Sequence, residues 1–204
     1  MKIGIIVIVI VVVIGAVYFL LMPRGPDVSQ FEHLREPRIT TMEDRRVVVV
    51  EARGDPNVVG PEAFGLLFKT YYKTKGVPKG RWQSAPRARW PVSLDAPKSD
   101  WIGFYAMPVP EGVTELPEVE TAAGLKVSLT TWEYGDVAEI LHVGPYTEEE
   151  PTIERLTDFI EEQGYQIVGP HEEEYIKGPT MMGKGDPEEY LTIIRYRVER
   201  ADGV

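Results

Sequence analysis

His171, Glu173 and Tyr175, three residues that handle protons, stand two apart in one short stretch. In a β-strand, positions i, i+2 and i+4 face the same side. The three side chains therefore share a face, and Glu172 and Glu174 point to the other. A carboxylate between an imidazole and a phenol can do two jobs. Ionised, it attracts a lipophilic cation, and aromatic ring faces nearby add about 0.5–2 kcal/mol of cation–π attraction. Desolvated, it serves as a general acid or base. In a hydrolysis, Glu173 would activate water or protonate the leaving carbon, and Tyr175 would orient the substrate or donate a hydrogen bond. Glu173 and Tyr175 are thus the candidate catalytic pair, with His171 beside them as a ligand-binding residue. The competing reading is an acidic strand facing solvent, because Glu172-Glu173-Glu174 is a run of charge.

Aromatic residues suited to the wall of such a cleft are Tyr146, Trp101 and Tyr105, with Trp82, Trp90 and Trp132 as further members of the set. Trp101 and Tyr105 share a strand face. His142 precedes Gly144-Pro145-Tyr146 and reads as a structural histidine. Gly178 to Lys184 fits the spacing of a phosphate-binding loop. Gly185 stands where that loop needs Ser or Thr, and a strand follows where it needs a helix, so a hairpin loop is expected. The local signatures of serine hydrolases and zinc proteases are absent. The chain has no cysteine and only three histidines, His33, His142 and His171, far apart. No metal site and no cofactor are expected on this basis.

The elements that must position these residues follow one order of signals twice. The first copy opens with Val47-Val48-Val49-Val50 and a turn at Gly54-Asp55-Pro56-Asn57. A helix over Pro61–Lys75 follows, with Phe64, Leu67, Phe68, Tyr71 and Tyr72 as its apolar stripe. Gly76 closes it. Strands are expected over Ala88–Leu94 and Trp101–Met107. The second copy opens with Lys126–Tyr134 and Val137–Val143. Thr147-Glu148-Glu149-Glu150 then fits a capping box, its acids suiting the positive end of a helix. Ile153, Leu156 and Ile160 make the buried stripe of that helix and Gly164 ends it. Strands over Gln166–Val168, Glu173–Lys177 and Tyr190–Val198 complete the copy. The expected fold is α+β: duplicated strand–helix–strand–strand units with pseudo-twofold symmetry and a ligand site where the halves meet.

Ile3–Met22 is an uncharged apolar run. At about 1.5 Å per residue a helix of that length crosses a hydrocarbon layer of about 30 Å. It is longer than a signal-peptide core and lacks a small-residue cleavage site. A single-pass transmembrane anchor over 1–22 is expected, with a linker over 23–43 and one ligand-binding domain over 44–200. The side of the membrane is undetermined, since flanking positive charges nearly balance. A net charge of −10, with 22 Lys plus Arg against 32 Asp plus Glu, argues against nucleic acid as a partner.

The second copy resembles a known family. Leu141-His142-Val143-Gly144-Pro145-Tyr146, Glu150-Pro151-Thr152-Ile153, Gly164-Tyr165, His171/Glu173/Tyr175 and Leu191-Thr192-Ile193-Ile194-Arg195 with Val198 occur in order. They are similar to the spaced motifs of GyrI-like (gyrase-inhibitor-like) small-molecule-binding domains, an architecture that SOUL proteins share. The resemblance implies a duplicated fold with a ligand cleft between its halves. Relatives include effector-binding domains of multidrug-responsive regulators, drug-sequestering proteins, and hydrolases of cyclopropane-bearing alkylating compounds. The "H-x-E-x-Y" and "TIIR" elements look most like the hydrolase branch. The Trp-rich segment of that branch is missing from Arg81–Pro91.

Three functions follow as expectations. The first is a membrane-anchored module that binds an amphipathic or cationic small molecule against Glu173. The second is a hydrolase of strained electrophiles that uses Glu173. The third is a membrane-tethered scaffold for a protein partner.

Overall fold

The computed structural model describes residues 28–80, 83–92, 96–121, 124–179 and 185–201. The expected anchor over Ile3–Met22 lies outside the described residues. Among the described residues no helix is long and apolar enough to cross a membrane. Trp82 and residues 180–184 of the predicted hairpin loop also lie outside them.

The described residues form a large antiparallel sheet with two α-helices. The strands are β1 (Arg38–Met42), β2 (Arg45–Arg53), β3 (Arg87–Trp90), β4 (Ile102–Pro108), β5 (Lys126–Trp132), β6 (Gly135–Val143), β7 (Tyr165–Ile167), β8 (His171–Lys177) and β9 (Leu191–Arg200). Their order across the sheet is β1-β6-β9-β8-β3-β4-β2-β5, and β7 pairs with β9 off this path. Helix α1 (Pro56–Lys73) follows β2, and helix α2 (Glu150–Glu162) follows β6.

β2 is apolar at consecutive positions because both its faces are covered. Val48 and Val50 pack with Ala63, Leu67 and Tyr71 of α1. Val47 and Val49 pack with Ala106, Trp132 and Tyr134 on the opposite face. Helix α2 covers Ala138, Ile140 and Ile194 through Leu156 and Ile160.

α1 starts earlier than the spacing predicts. Asp55 accepts from the backbone N–H of Asn57, and Pro56 occupies the first turn, where a missing N–H costs nothing. Pro61 therefore lies inside the helix rather than at its start. The buried stripe is Gly60, Ala63, Leu66, Leu67, Thr70 and Tyr71. Phe64 and Phe68 flank it, and Tyr72 is exposed.

Among the described residues, regular structure is already present before Asp44, inside the segment read as a linker over 23–43. Val28–Leu34 forms a 3₁₀ segment whose Leu34 is buried with Leu141, Leu191 and Ile193. β1 pairs with β6, from Arg38 opposite Glu139 to Met42 opposite Gly135. Short runs such as Ile39-Thr40-Thr41 carry too little apolar pattern to reveal a sheet-edge strand.

Glu172 and Glu174 do point away from Glu173, but not to solvent. Glu172 is 2 % exposed. Its carboxylate accepts from Arg89 at 2.7 Å, Arg195 at 2.9 Å and the Tyr134 hydroxyl at 2.9 Å. Glu174 accepts from Arg87 at 2.9 Å. Arg195 reaches Glu139 at 2.8 Å, and Arg38 reaches the same carboxylate at 2.7 Å. Arg195 of the "TIIR" element is thus the hub of a buried ion network on one face of the sheet. This network locks β6, β9, β8 and β3 in register, and so fixes the opposite face.

Candidate functional site

β3 and β8 pair at the middle of the sheet, with Ala88 opposite Glu173 and Trp90 opposite His171. The other neighbour of β8 is β9, which sets Ile194 opposite Glu173 and Thr192 opposite Tyr175. His171, Glu173 and Tyr175 share a face, as the spacing predicts. The side chains also touch. The Tyr175 hydroxyl donates to Glu173 Oε2 at 2.6 Å, and His171 Nε2 lies 3.1 Å from Glu173 Oε1. His171 Nδ1 lies 2.9 Å from the Tyr196 hydroxyl. The chain of contacts Tyr175–Glu173–His171–Tyr196 fixes the carboxylate and the ring together.

Burial first, and the Glu173 charge second, push the Tyr175 hydroxyl well above its ordinary range. The same causes raise Tyr105 and Tyr146 and push Tyr196 up to about 12. These phenols are neutral donors at any physiological pH.

The wall is aromatic. Phe64 of α1 meets Tyr175 edge-on at 5.6 Å and Tyr105 at 4.9 Å. Tyr105 meets Trp90 at 5.6 Å, and Trp90 meets Trp101 at 5.4 Å. Tyr146 meets Tyr175 at 5.6 Å from the other side. The backbone at Gly178 lies directly against the Tyr146 hydroxyl, leaving no room for a Cβ. Of the predicted site residues, His171, Glu173, Tyr175, Tyr146 and Tyr105 come together. Trp101 does not join them: it lies tilted at 55° against Trp90, and its indole N–H donates to the Ala96 carbonyl at 2.9 Å. His142 is structural, held between the Thr152 hydroxyl at 3.0 Å and the Pro145 carbonyl at 3.2 Å.

Sequence reasoning misses Glu149. The capping box does not form, because a 3₁₀ turn over Tyr146–Glu148 precedes α2 and the helix starts at Glu150. Glu149 is only 6 % exposed, and its Oε1 has no hydrogen-bond partner. Burial, and then the facing Glu173 carboxylate, raise its carboxyl to about 9. Other buried polar atoms on this face also lack partners: the Tyr105 hydroxyl, Trp90 Nε1 and Thr192 Oγ1. An unpaired buried polar atom costs about 1–3 kcal/mol. These atoms can each take a further hydrogen bond on this face.

A separate cavity of about 270 Å³ opens on the opposite face, lined by Arg89, Tyr134, Glu172, Arg195 and Arg197 among others. Its buried charges already pair with one another. Of the described buried polar atoms without a partner, Arg87 Nε belongs to this face, and Glu149 Oε1, the Tyr105 hydroxyl, Trp90 Nε1 and Thr192 Oγ1 lie on the Glu173 face.

The family model of the GyrI-like small molecule binding domain matches residues 35–198. The chain belongs to this family. Among solved structures, an uncharacterized conserved protein from Listeria innocua has a TM-score of 0.68 at 22% identity, over 85% of this chain and 97% of that one. A hydrolase from Listeria innocua has a TM-score of 0.65 at 22% identity, over 81% of this chain and 92% of that one. The EcmrR C-terminal domain has a TM-score of 0.55 at 14% identity, over 81% of this chain and 98% of that one. At these identities the likeness is one of fold. No curated protein of similar sequence was found. The match takes in β1 and starts just after the 3₁₀ segment Val28–Leu34.

Proposed function

We propose that this GyrI-like domain binds an amphipathic or cationic small molecule over β3, β8 and β9, with Glu173 as the counter-charge. The observation that carries this reading is a carboxylate ringed by aromatic faces and unpartnered polar atoms. Among the described residues neither Glu173 nor Glu149 has an arginine or lysine at ion-pair distance. The negative charge is therefore left for a guest. Phe64, Tyr105, Tyr146 and Tyr175 supply ring faces to an apolar cation, and the Tyr105 hydroxyl and Trp90 Nε1 offer donors to a polar group on it.

The strand order supports reading the domain as two copies of one unit. From either edge inward the sequence is a leading strand, then the first, third and second strands of a unit, meeting at β3 and β8. The cleft then lies where the copies join. The apolar run Ile3–Met22 would tether the domain at a membrane, where amphipathic ligands concentrate.

A titration of the protein with tetraphenylphosphonium, followed by tryptophan fluorescence, tests the binding reading. Saturable quenching is expected, because Trp90 borders the site.

Hydrolysis of a strained electrophile is the second reading. It is favoured by the Tyr175–Glu173 hydrogen bond with a second carboxyl group, that of Glu149, across from it. Glu173 would direct water at one carbon, and Glu149 would protonate the carbon released. Mass spectrometry of a panel of cyclopropane-bearing electrophiles decides it: a product heavier by one water supports turnover, and none across the panel excludes it.

A further inference from the structure

We propose that Glu149, His171 and Glu173 form a binding site for a first-row divalent cation of the zinc type. One ligand atom from each of the three lies within 4.8 Å of the other two. The set offers one imidazole nitrogen, two carboxylates and no thiolate. This donor mix suits zinc or manganese and is poor for soft copper(I).

Three observations about these residues and their surroundings point to a ligand. First, Glu149 is more than nine-tenths buried, yet its Oε1 has no partner. A buried carboxylate oxygen pointing at another carboxylate is costly unless something positive stands between. Second, Thr192 Oγ1 is fully buried against the Glu149 carboxyl, with no partner in good hydrogen-bond geometry. Third, two of the three candidate ligands have an orienting partner behind them. The Tyr196 hydroxyl lies 2.9 Å from His171 Nδ1, the nitrogen turned away from Glu173. When that contact is an Nδ1–H donated to the phenol oxygen, Nε2 presents its lone pair to the cluster. The Tyr175 hydroxyl holds Glu173 Oε2 at 2.6 Å and leaves Oε1 for the cluster. Such outer partners fix ring and carboxylate orientation in protein metal sites. Glu173 is partly accessible, with 12 % of its side chain exposed, which gives the cation a way in.

This inference goes beyond the organic-cation reading and does not rest on it. The two share Glu173 and no other required ligand. The test uses the full chain in lipid nanodiscs, stripped with chelator and titrated with Zn²⁺ by calorimetry, against empty nanodiscs as blank. One equivalent of Zn²⁺ is expected to bind, and His171→Ala and Glu149→Gln are each expected to weaken it about 10–100-fold. Loading with Co²⁺ gives a second readout: visible d–d bands in the wild type that His171→Ala removes. Near-ultraviolet circular dichroism reports whether each variant keeps its packing. If a variant fails to fold, the wild-type Co²⁺ spectrum still decides. Zn²⁺ heats equal to those of empty nanodiscs, or affinity unchanged in both folded variants, overturns the site. Tetraphenylphosphonium binding, measured in the same nanodiscs, stands or falls separately.

Discussion

At the residue scale, Glu173 is set apart from its neighbours by parity alone. Glu172 and Glu174 sit on the face where arginines converge, and among the described residues none reaches Glu173. Three consecutive glutamates therefore have two fates, and period-two reasoning separates them. What parity could not show is where the other face goes: the acidic strand looks solvated in sequence, and its arginine partners come from β3 and β9. Glu149 was hidden for a different reason. Its local pattern is that of a helix cap, and only the preceding 3₁₀ turn swings it inward. Tyr175→Phe removes the hydroxyl that holds Glu173 and keeps the ring. It is expected to cost about 1–2 kcal/mol of stability by urea denaturation, with tetraphenylphosphonium affinity within about threefold of wild type, since the ring face stays in place.

At the element scale, the seam of β3 and β8 carries the site, and β4 shapes its wall. Gly103 of β4 lies beneath the Tyr105 and Trp90 rings. A Cβ there would stand 2.7 Å from Tyr105 Cε2 and 2.8 Å from Trp90 Cζ3. Both rings would have to shift, and overpacking of this kind costs about 1–3 kcal/mol. Gly103→Ala is expected to lower the unfolding free energy read by urea denaturation by that amount and to change tryptophan emission; a wild-type stability and spectrum would show that the rings do not pack as described. Most strands and both helices were legible, because runs such as Val47–Val50 and stripes such as Leu156/Ile160 carry strong periodicity. β1 was not, since an edge strand with one covered face needs few apolar residues. The start of α1 was displaced because Pro61 looked like a first-turn proline while Asp55-Pro56 already supplied the cap.

At the scale of the whole molecule, the ion network holds the two halves of the sheet in one register. Arg195 joins Glu139, Glu172 and Glu174. Arg195→Ala would take from Glu139, Glu172 and Glu174 the arginine they share, leaving each only its remaining arginine, Arg38, Arg89 or Arg87, and is expected to destabilise the fold by about 3 kcal/mol, read by urea denaturation. The network also sets the acid limit. Burial alone would raise the Glu139 carboxyl, but the Arg195 and Arg38 guanidiniums outweigh it and hold it below its ordinary value. A carboxylate with a depressed native pKa stabilises the fold fully above its unfolded value of about 4.3–4.5, and that stability is lost as pH falls through the native value. Glu149 acts in the opposite sense: its raised carboxyl is protonated in the native state alone, so its contribution grows as pH falls toward the unfolded value. The urea midpoint is therefore expected to rise between about pH 7 and pH 5 and to drop below about pH 4.5 as the network carboxylates take up protons; a midpoint that goes on rising to pH 3 would contradict this. With the sheet fixed in this way, the central claim is that Glu173 is the counter-charge for a cationic guest. The most direct measurement compares tetraphenylphosphonium binding to wild type and Glu173→Gln by tryptophan fluorescence, in nanodiscs with empty discs as blank. Losing a desolvated charge partner costs about 1.4 kcal/mol or more, so a dissociation constant at least about tenfold higher is expected for the variant. Equal affinity in a correctly folded variant would show that the guest does not use Glu173, and the account of the site would fail.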